Sequence, residues 1–246
     1  MLILLPPSET KRGGGTGRSF SAEALRFREL SEHRSALLDA LVELAETPEA
    51  MVSALKLGAT QHGEIDVNRR VRDSPTMPAI DRYTGVLYDA LDGQSLTPSQ
   101  RTFADTHVLI HSALFGLVPA LDPIPAYRLS HSSRIPGLSL KKHWRDSLRA
   151  LLAERDDLII DMRSEGYSDL GTAPGRAGSY YLRVLTTESD GTRRALNHFN
   201  KKAKGEFARA LIRAETDFAE LDELLRWARS SGWRLERSED DIALIV

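Results

Sequence analysis

The chain has no cysteine among its 246 residues. A disulfide framework, a thiolate zinc site and a cysteine nucleophile are therefore excluded, and a reducing compartment fits. A long apolar run is also missing. The opening Met1-Leu-Ile-Leu-Leu-Pro carries no basic start and is cut by Pro6 and Pro7. It is too short for a signal peptide or a membrane span, so a buried first strand and a cytoplasmic location are expected. Neither sign of charge is in surplus. With 33 basic and 35 acidic residues the net charge is −2, which gives no global pull toward nucleic acid.

What is present is an ordinary globular balance. Apolar residues make up 41% and charged residues 28%, which argues against disorder over the whole chain. The length allows one large domain or two small ones. The charge is unevenly spread. Between Arg128 and Arg149 stand six Lys/Arg against one acid, Asp146; between Arg193 and Arg213, seven against Glu206 alone. Acids gather later, from Glu215 to Glu223. That later run reads as a solvated helix face.

Leu2–Leu5 reads as a buried strand ended by the two prolines. Ser8–Ser19 is a polar, glycine-rich loop. Ser21 can cap a long helix to about Ala45. Pro48 opens another at the position proline favours, and Thr60–Arg72 reads as a further short helix. Tyr83–Leu91 is a compact mixed segment, and Thr97-Pro98-Ser99 begins a short helix. Thr106–His111 reads as a central strand, Ser112–Tyr127 as a loop and Leu138–Glu154 as a helix buried by Trp144 and its leucines. Asp157–Met162 and Ser179–Thr187 are expected strands, and 164–177 a polar loop. Asn200–Arg213 and Phe218–Arg229 are expected helices, followed by a terminal hairpin, 233–236 with 241–246. Strands alternating with helices favour a mixed α/β fold with a central mixed sheet. Residues 1–246 then form one domain, with a helical subregion from about 20 to 75.

Several segments carry candidate chemistry. Gly13-Gly-Gly-Thr-Gly17 after a strand invites a phosphate-loop reading, but one residue is missing between the glycines and Arg18 stands where the lysine belongs. A flexible surface loop is the better reading, with Lys11 and Arg12 free to face a cleft. His107 and His111 are four apart in a strand-like run, which does not bring both to one ion. No metal and no cofactor are expected. Ser112 ends a central strand, where α/β folds place ligands; a turn serine bonded to backbone is the alternative. The proline-braced Asp122-Pro-Ile-Pro-Ala-Tyr127-Arg128 sets a carboxylate, a phenol and a guanidinium on one loop, either as a site or as an internal Asp–Arg brace. The strongest local signal is the cationic helix His198–Arg213. Lys202, Arg209 and Arg213 share one face there, with Lys201 and Lys204 on an adjoining stripe. Gly205 inside a helix costs about 1 kcal/mol against alanine, which points to close approach by backbone or ligand. Neighbouring lysines repel each other unless an anion compensates, so the helix reads as one wall of an anion-binding cleft.

Taken together, several blocks resemble the YaaA peroxide-stress family of bacterial proteins. They are Leu2-Ile-Leu-Leu-Pro-Pro-Ser8, Tyr83-Thr-Gly85-Val-Leu-Tyr88, Ser112–Leu129, Trp144, Ser164-Glu165-Gly-Tyr167, and Lys201-Lys202-Ala203-Lys204-Gly205 with Arg209. The resemblance implies a compact mixed α/β fold with a cationic cleft and a helix–hairpin–helix-like element, here Pro48–Arg72. It also implies an association with lowering free iron, limiting DNA damage under peroxide, and DNA binding. It brings no general enzymatic activity. This chain departs from the family pattern at Pro7-Ser8-Glu9-Thr10-Lys11, which moves a lysine, and at Ala113-Leu114-Phe115-Gly116. Leu57–Gly63 also lacks the close glycine spacing of DNA-binding hairpins.

Two functions compete. In one, the cleft binds DNA or another phosphate-bearing anion through Lys11, Ser112, Tyr127, Arg128, Ser164, Tyr167, Lys201, Lys202, Lys204 and Arg209. In the other, an enzyme acts on a nucleobase, nucleotide or related small anionic metabolite. Its candidate acids, bases and charge-stabilising groups are Lys202, His198, Asp122 and Glu165.

Overall fold

The computed structural model describes residues 1–187, 192–195, 200–238 and 241–246. Ten strands run along the described chain: β1 Leu2–Leu5, β2 Met77–Pro78, β3 Val108–Ser112, β4 Gly116–Pro119, β5 Pro123–Ile124, β6 Ile159–Asp161, β7 Ser179–Thr187, β8 Arg193–Ala195, β9 Arg234–Arg237 and β10 Asp241–Ile245. The helices are α1 Ser31–Ala45, α2 Pro48–Leu55, α3 Gly63–Arg69, α4 Ala79–Arg82, α5 Val86–Leu91, α6 Pro98–His107, α7 Leu140–Ala153, α8 Glu165–Ser168, α9 Asn200–Ala214 and α10 Leu221–Ser230.

The fold is a mixed α/β one around an eight-stranded sheet in the order β4-β3-β1-β6-β7-β10-β9, with β8 paired to β7. β1 runs parallel to both β3 and β6, and β6, β7 and β10 continue the parallel run. β4 and β9 close the two ends antiparallel. Every residue of β1, β3 and β6 is buried. That is why their sequences are apolar without alternation, as a sheet covered on both faces demands. From β1 the chain first adds β3 on one side, then crosses to add β6 on the other. The order therefore reverses between β1 and β6, the point where open α/β sheets leave a crevice at their carboxyl ends.

Element boundaries depart from the sequence expectation where side chains compete for backbone groups. The long helix from Ser21 is broken into short turns at Ala22–Ala24 and Arg28–Leu30, and α1 starts only at Ser31. Between them Phe27 takes φ +59°. The carbonyls of Arg26 and Phe27 are bound by Nη1 of buried Arg34, at 2.7 and 3.2 Å. The amide of Arg26 is bound by Asp122 at 2.8 Å. A continuous helix would need those same groups. Thr106 and His107 belong to α6, so the central strand begins at Val108, and the expected loop 112–127 contains β4 and β5. The glycine-rich loop is anchored. Its carbonyls at Arg12 and Gly14 accept from Nη1 of Arg82, which also binds the carbonyls of Pro75 and Ile124. A loop that turns carbonyls inward onto a cation offers no amide nest for phosphate.

Candidate functional site

A cleft of about 750 Å³ opens at the switch point. Its floor is the chain leaving β1 (Pro6 to Glu9) and β6 (Met162, Ser164 to Tyr167). Pro6 and Pro7 have no amide to continue a ladder, so β1 ends there. One wall is the start of α5, Thr84 to Tyr88; another is β7 from Tyr181 to Val184; α9 contributes Asn200, Lys201 and Lys204. Ser130 and His131 complete the lining.

Close backbone contacts set these walls. Gly85 has φ +95°, and a Cβ there would stand 3.3 Å from the hydroxyls of Ser8 and Thr10. Tyr88 donates to the carbonyl of Pro6 at 2.7 Å. Gly205 packs α9 onto α5: a Cβ would run into the carbonyl of Leu87 and come within 2.9 Å of the Ala90 Cβ. The helix glycine read from sequence thus answers to backbone approach. The crossing carries Lys204 over the cleft, where it is only 4% exposed.

Beneath Lys204 lies a buried polar cluster. Arg163 makes a two-point ion pair with Asp161, Nε to Oδ1 at 2.9 Å and Nη2 to Oδ2 at 2.6 Å, and donates from Nη1 to the Gly171 carbonyl and to Nδ1 of His111, each at 2.9 Å. A guanidinium can only donate, so Nδ1 of His111 accepts and Nε2 carries the proton. Burial, then the Arg163 charge, holds His111 well below the usual imidazole range. The Arg163 carbonyl receives Nζ of Lys204 at 3.3 Å and the Tyr181 hydroxyl at 2.8 Å. Lys204 also sits 5.3 Å from the Tyr181 ring centroid. Its pKa is lowered to about 8, chiefly by burial, with Asp161 opposing and Arg183 adding to the shift. Among the described residues no carboxylate lies within 4.0 Å of its ammonium.

On the other side, Nη2 of buried Arg128 binds Oε2 of Glu9 at 2.7 Å. The Arg128 backbone is held by Asn68 of α3 in a reciprocal pair, 2.7 and 2.8 Å. The helical subregion therefore fixes this site residue. Lys11 lies 4.1 Å over the ring of Tyr127 and donates to the carbonyls of Ser8 and Glu9. Burial first, then Arg128, lowers its pKa to about 7.

Of the sequence candidates, Ser164, Glu165, Tyr167, Lys201 and Lys204 line the cleft; Lys11 and Arg128 stand behind Glu9. The others are placed elsewhere. Asp122 has both oxygens taken by Arg26, Oδ1 by Nε and Oδ2 by the amide, at 2.8 Å each, so it braces a residue outside its own loop and does not pair with Arg128. Ser112 is buried; its oxygen accepts from the amides of Leu114 and Phe115 and pairs with the Tyr127 hydroxyl. Tyr127 in turn pairs with Tyr83 at 2.8 Å. Lys202 points to solvent and pairs with Glu206 at 3.5 Å. Arg209 caps α5, binding the carbonyls of Leu91 and Asp92 and the Ser95 hydroxyl. His198 lies outside the described residues. Sequence reading missed Thr84, Ser130, His131, Tyr181 and Arg183. For Tyr181 and Arg183 the signal was their period-two spacing on β7; the rest reach the cleft through loops that carry no such period.

The fold and cleft define a mixed α/β protein with a ligand-sized opening at its topological switch point. Comparison with known proteins gives the family. The family described as "Peroxide stress protein YaaA" matches residues 1–239. A UPF0246 protein of Corynebacterium efficiens is 41% identical over 100% of both chains. A UPF0246 protein of Streptomyces coelicolor is 36% identical over 96% of this chain and 92% of its own. One of Streptococcus sanguinis is 28% identical over 76% and 71%. The chain belongs to the YaaA peroxide-stress family. Among the described residues no helix is long and apolar enough to cross a membrane.

Proposed function

We propose that this protein binds a phosphate-bearing ligand of nucleotide size in the cleft between β1 and β6, in the cytoplasm, as one domain over residues 1–246. The observation that carries the reading is Lys204: a nearly buried ammonium lining a cavity, with no carboxylate partner among the described residues. A buried charge is tolerated when it is paired, and here the partner that would pair it is the ligand. Lys201 lines the cleft from α9 and Arg183, itself paired with Asp241 at 2.6 Å, from β7, and Tyr181 and Tyr167 offer aromatic faces for a base. The volume falls in the range of small-molecule sites, about 300–1,000 Å³.

A nucleic-acid strand entering the same cleft is the second reading, the one that the sequence resemblance implies. Against a long duplex track stand the cations already engaged within the chain. Lys202 pairs with Glu206, Arg72 with Asp39, and Arg69 with Glu46 and Asp66. A single-stranded end presenting one nucleotide fits the cleft better. Chemistry on the bound nucleotide is the enzymatic extension, with Glu165 the candidate acid or base that lines the cleft.

Calorimetric titration with mononucleotides, a short single strand and a duplex tests the reading. Nucleotide binding should weaken only modestly between low and moderate salt, because few phosphates are neutralised; duplex binding would fall steeply. Absence of heat or thermal shift with every phosphate ligand sinks the proposal.

A further inference from the structure

Two cations converge on one residue at the back of the cleft. Nη1 of Arg128 and Nζ of Lys11 both donate to the backbone carbonyl of Glu9, at 3.2 and 3.3 Å. The Glu9 carboxylate then folds onto Nη2 of Arg128 at 2.7 Å. The Arg128 side chain is 8% exposed and that of Glu9 62%. A buried guanidinium is thus neutralised by an exposed side chain that itself lines the cleft. Among the described residues Glu9 is the only carboxylate within ion-pair distance of Arg128. Asn68 holds the Arg128 backbone from both sides, and Nη1 keeps its bond to the Glu9 backbone carbonyl when the carboxylate leaves.

A carboxylate on a fixed cation, reached from the open side, can be exchanged for another oxyanion without rebuilding the wall. Its removal leaves a buried guanidinium unpaired, a cost that an incoming oxyanion returns by taking the same place. A planar guanidinium offers two donors to a phosphoryl group and is better matched to it than a lone ammonium.

We infer that Arg128 and Lys11 form a second anion seat on this cleft, held shut by the Glu9 carboxylate. A phosphoryl group of the ligand takes the seat when Glu9 swings away. This rests on the proposed reading of the cleft and deepens it: the ligand carries two phosphoryl groups, one at the Lys204 wall and one at Arg128.

The test is titration of the full chain with a nucleoside 3′,5′-bisphosphate, using wild type, Lys204→Met, Glu9→Gln, Glu165→Gln and Glu9→Gln/Arg128→Lys. Glu9→Gln should bind the bisphosphate about tenfold more tightly than wild type, the size of one charge-assisted contact. Glu165→Gln removes an equal charge from the same cleft and releases Arg183, its partner at 3.7 Å, so it measures the gain from any freed cleft cation, which Glu9→Gln must exceed. The double variant should lose the gain. Equal gains in the two single variants, no gain in Glu9→Gln, or a gain that survives Arg128→Lys overturns the seat. Where Arg128→Lys does not fold, the comparison of the single variants decides. If wild type binds, Lys204→Met does not, and Glu9→Gln gains nothing, only the seat is lost. If neither wild type nor Glu9→Gln binds, the reading of the cleft falls with it.

Discussion

Lys204 and Tyr181 meet on one acceptor, the carbonyl oxygen of Arg163, which receives the ammonium at 3.3 Å and the phenol at 2.8 Å. That carbonyl belongs to a residue locked by Asp161, His111 and Gly171. The free end of the cleft lysine is therefore positioned by groups from three strands, and its charge is held without a described carboxylate against it.

Lys204→Met should raise stability near neutral pH while abolishing binding of phosphate ligands. The sign follows from the lowered pKa of about 8. Between that value and the ordinary lysine range the unfolded chain binds more protons than the folded one, so wild-type stability rises with pH. Below pH 8 both states are protonated and the burial cost is felt in full. The stability advantage of Lys204→Met should then be largest below pH 8 and shrink toward pH 10. Urea denaturation of both proteins at pH 7 and 9.5 checks it; an advantage that grows with pH contradicts the assignment.

The sheet was largely legible, since continuous apolar runs such as Leu2–Leu5 and strictly spaced ones such as Ser179–Thr187 have few alternatives. The cationic helix was legible as a helix, but which of its lysines reach the cleft was not. Helical periodicity says which residues share a face, not which face meets the cleft. Gly205 decided that by docking α9 on α5, which turned Lys204 inward and left Lys202 outside. Asp122 looked like a site residue because it sits among prolines beside Tyr127 and Arg128. Its partner, Arg26, lies 96 residues away in sequence, and no local pattern shows such a pairing.

Asp122→Asn should lower stability without changing ligand affinity. The amide would present a donor to groups that now donate to two carboxylate oxygens. Asp122 is 4% and Arg26 46% exposed, so the loss is about 1–3 kcal/mol, the range for a buried polar group left unmet. Thermal unfolding and nucleotide titration on one preparation separate the two effects. A large loss of affinity in a fully folded variant would restore Asp122 to the site.

Gly205→Ala sets helix propensity against packing. Propensity alone gains about 1 kcal/mol. The added methyl, however, meets the Leu87 carbonyl and the Ala90 Cβ where two helices touch, and overpacking of this kind costs about 1–3 kcal/mol. A net loss is expected, together with weaker ligand binding, because α5 and α9 each carry part of the cleft wall. Chemical denaturation gives the first effect and titration the second; a stabilised variant with normal binding would mean the crossing is loose.

Tyr127→Phe tests the direction of the buried hydroxyl chain. The Ser112 oxygen accepts from two amides, at 3.1 and 2.9 Å, so its own proton goes to Tyr127, 2.7 Å away. Tyr127 then donates to Tyr83. Burial, first among the causes, holds both phenols above the usual range, so they remain neutral donors at ordinary pH. Removing the Tyr127 hydroxyl leaves Ser112 without its acceptor and Tyr83 without its donor, at a cost of about 1–3 kcal/mol for unmet buried groups. Ser112→Ala removes the same link and strands the two amides as well. The two losses should therefore be strongly sub-additive in a double-mutant cycle. Additive losses would mean that Ser112 and Tyr127 act separately and that the chain does not run through them in this order.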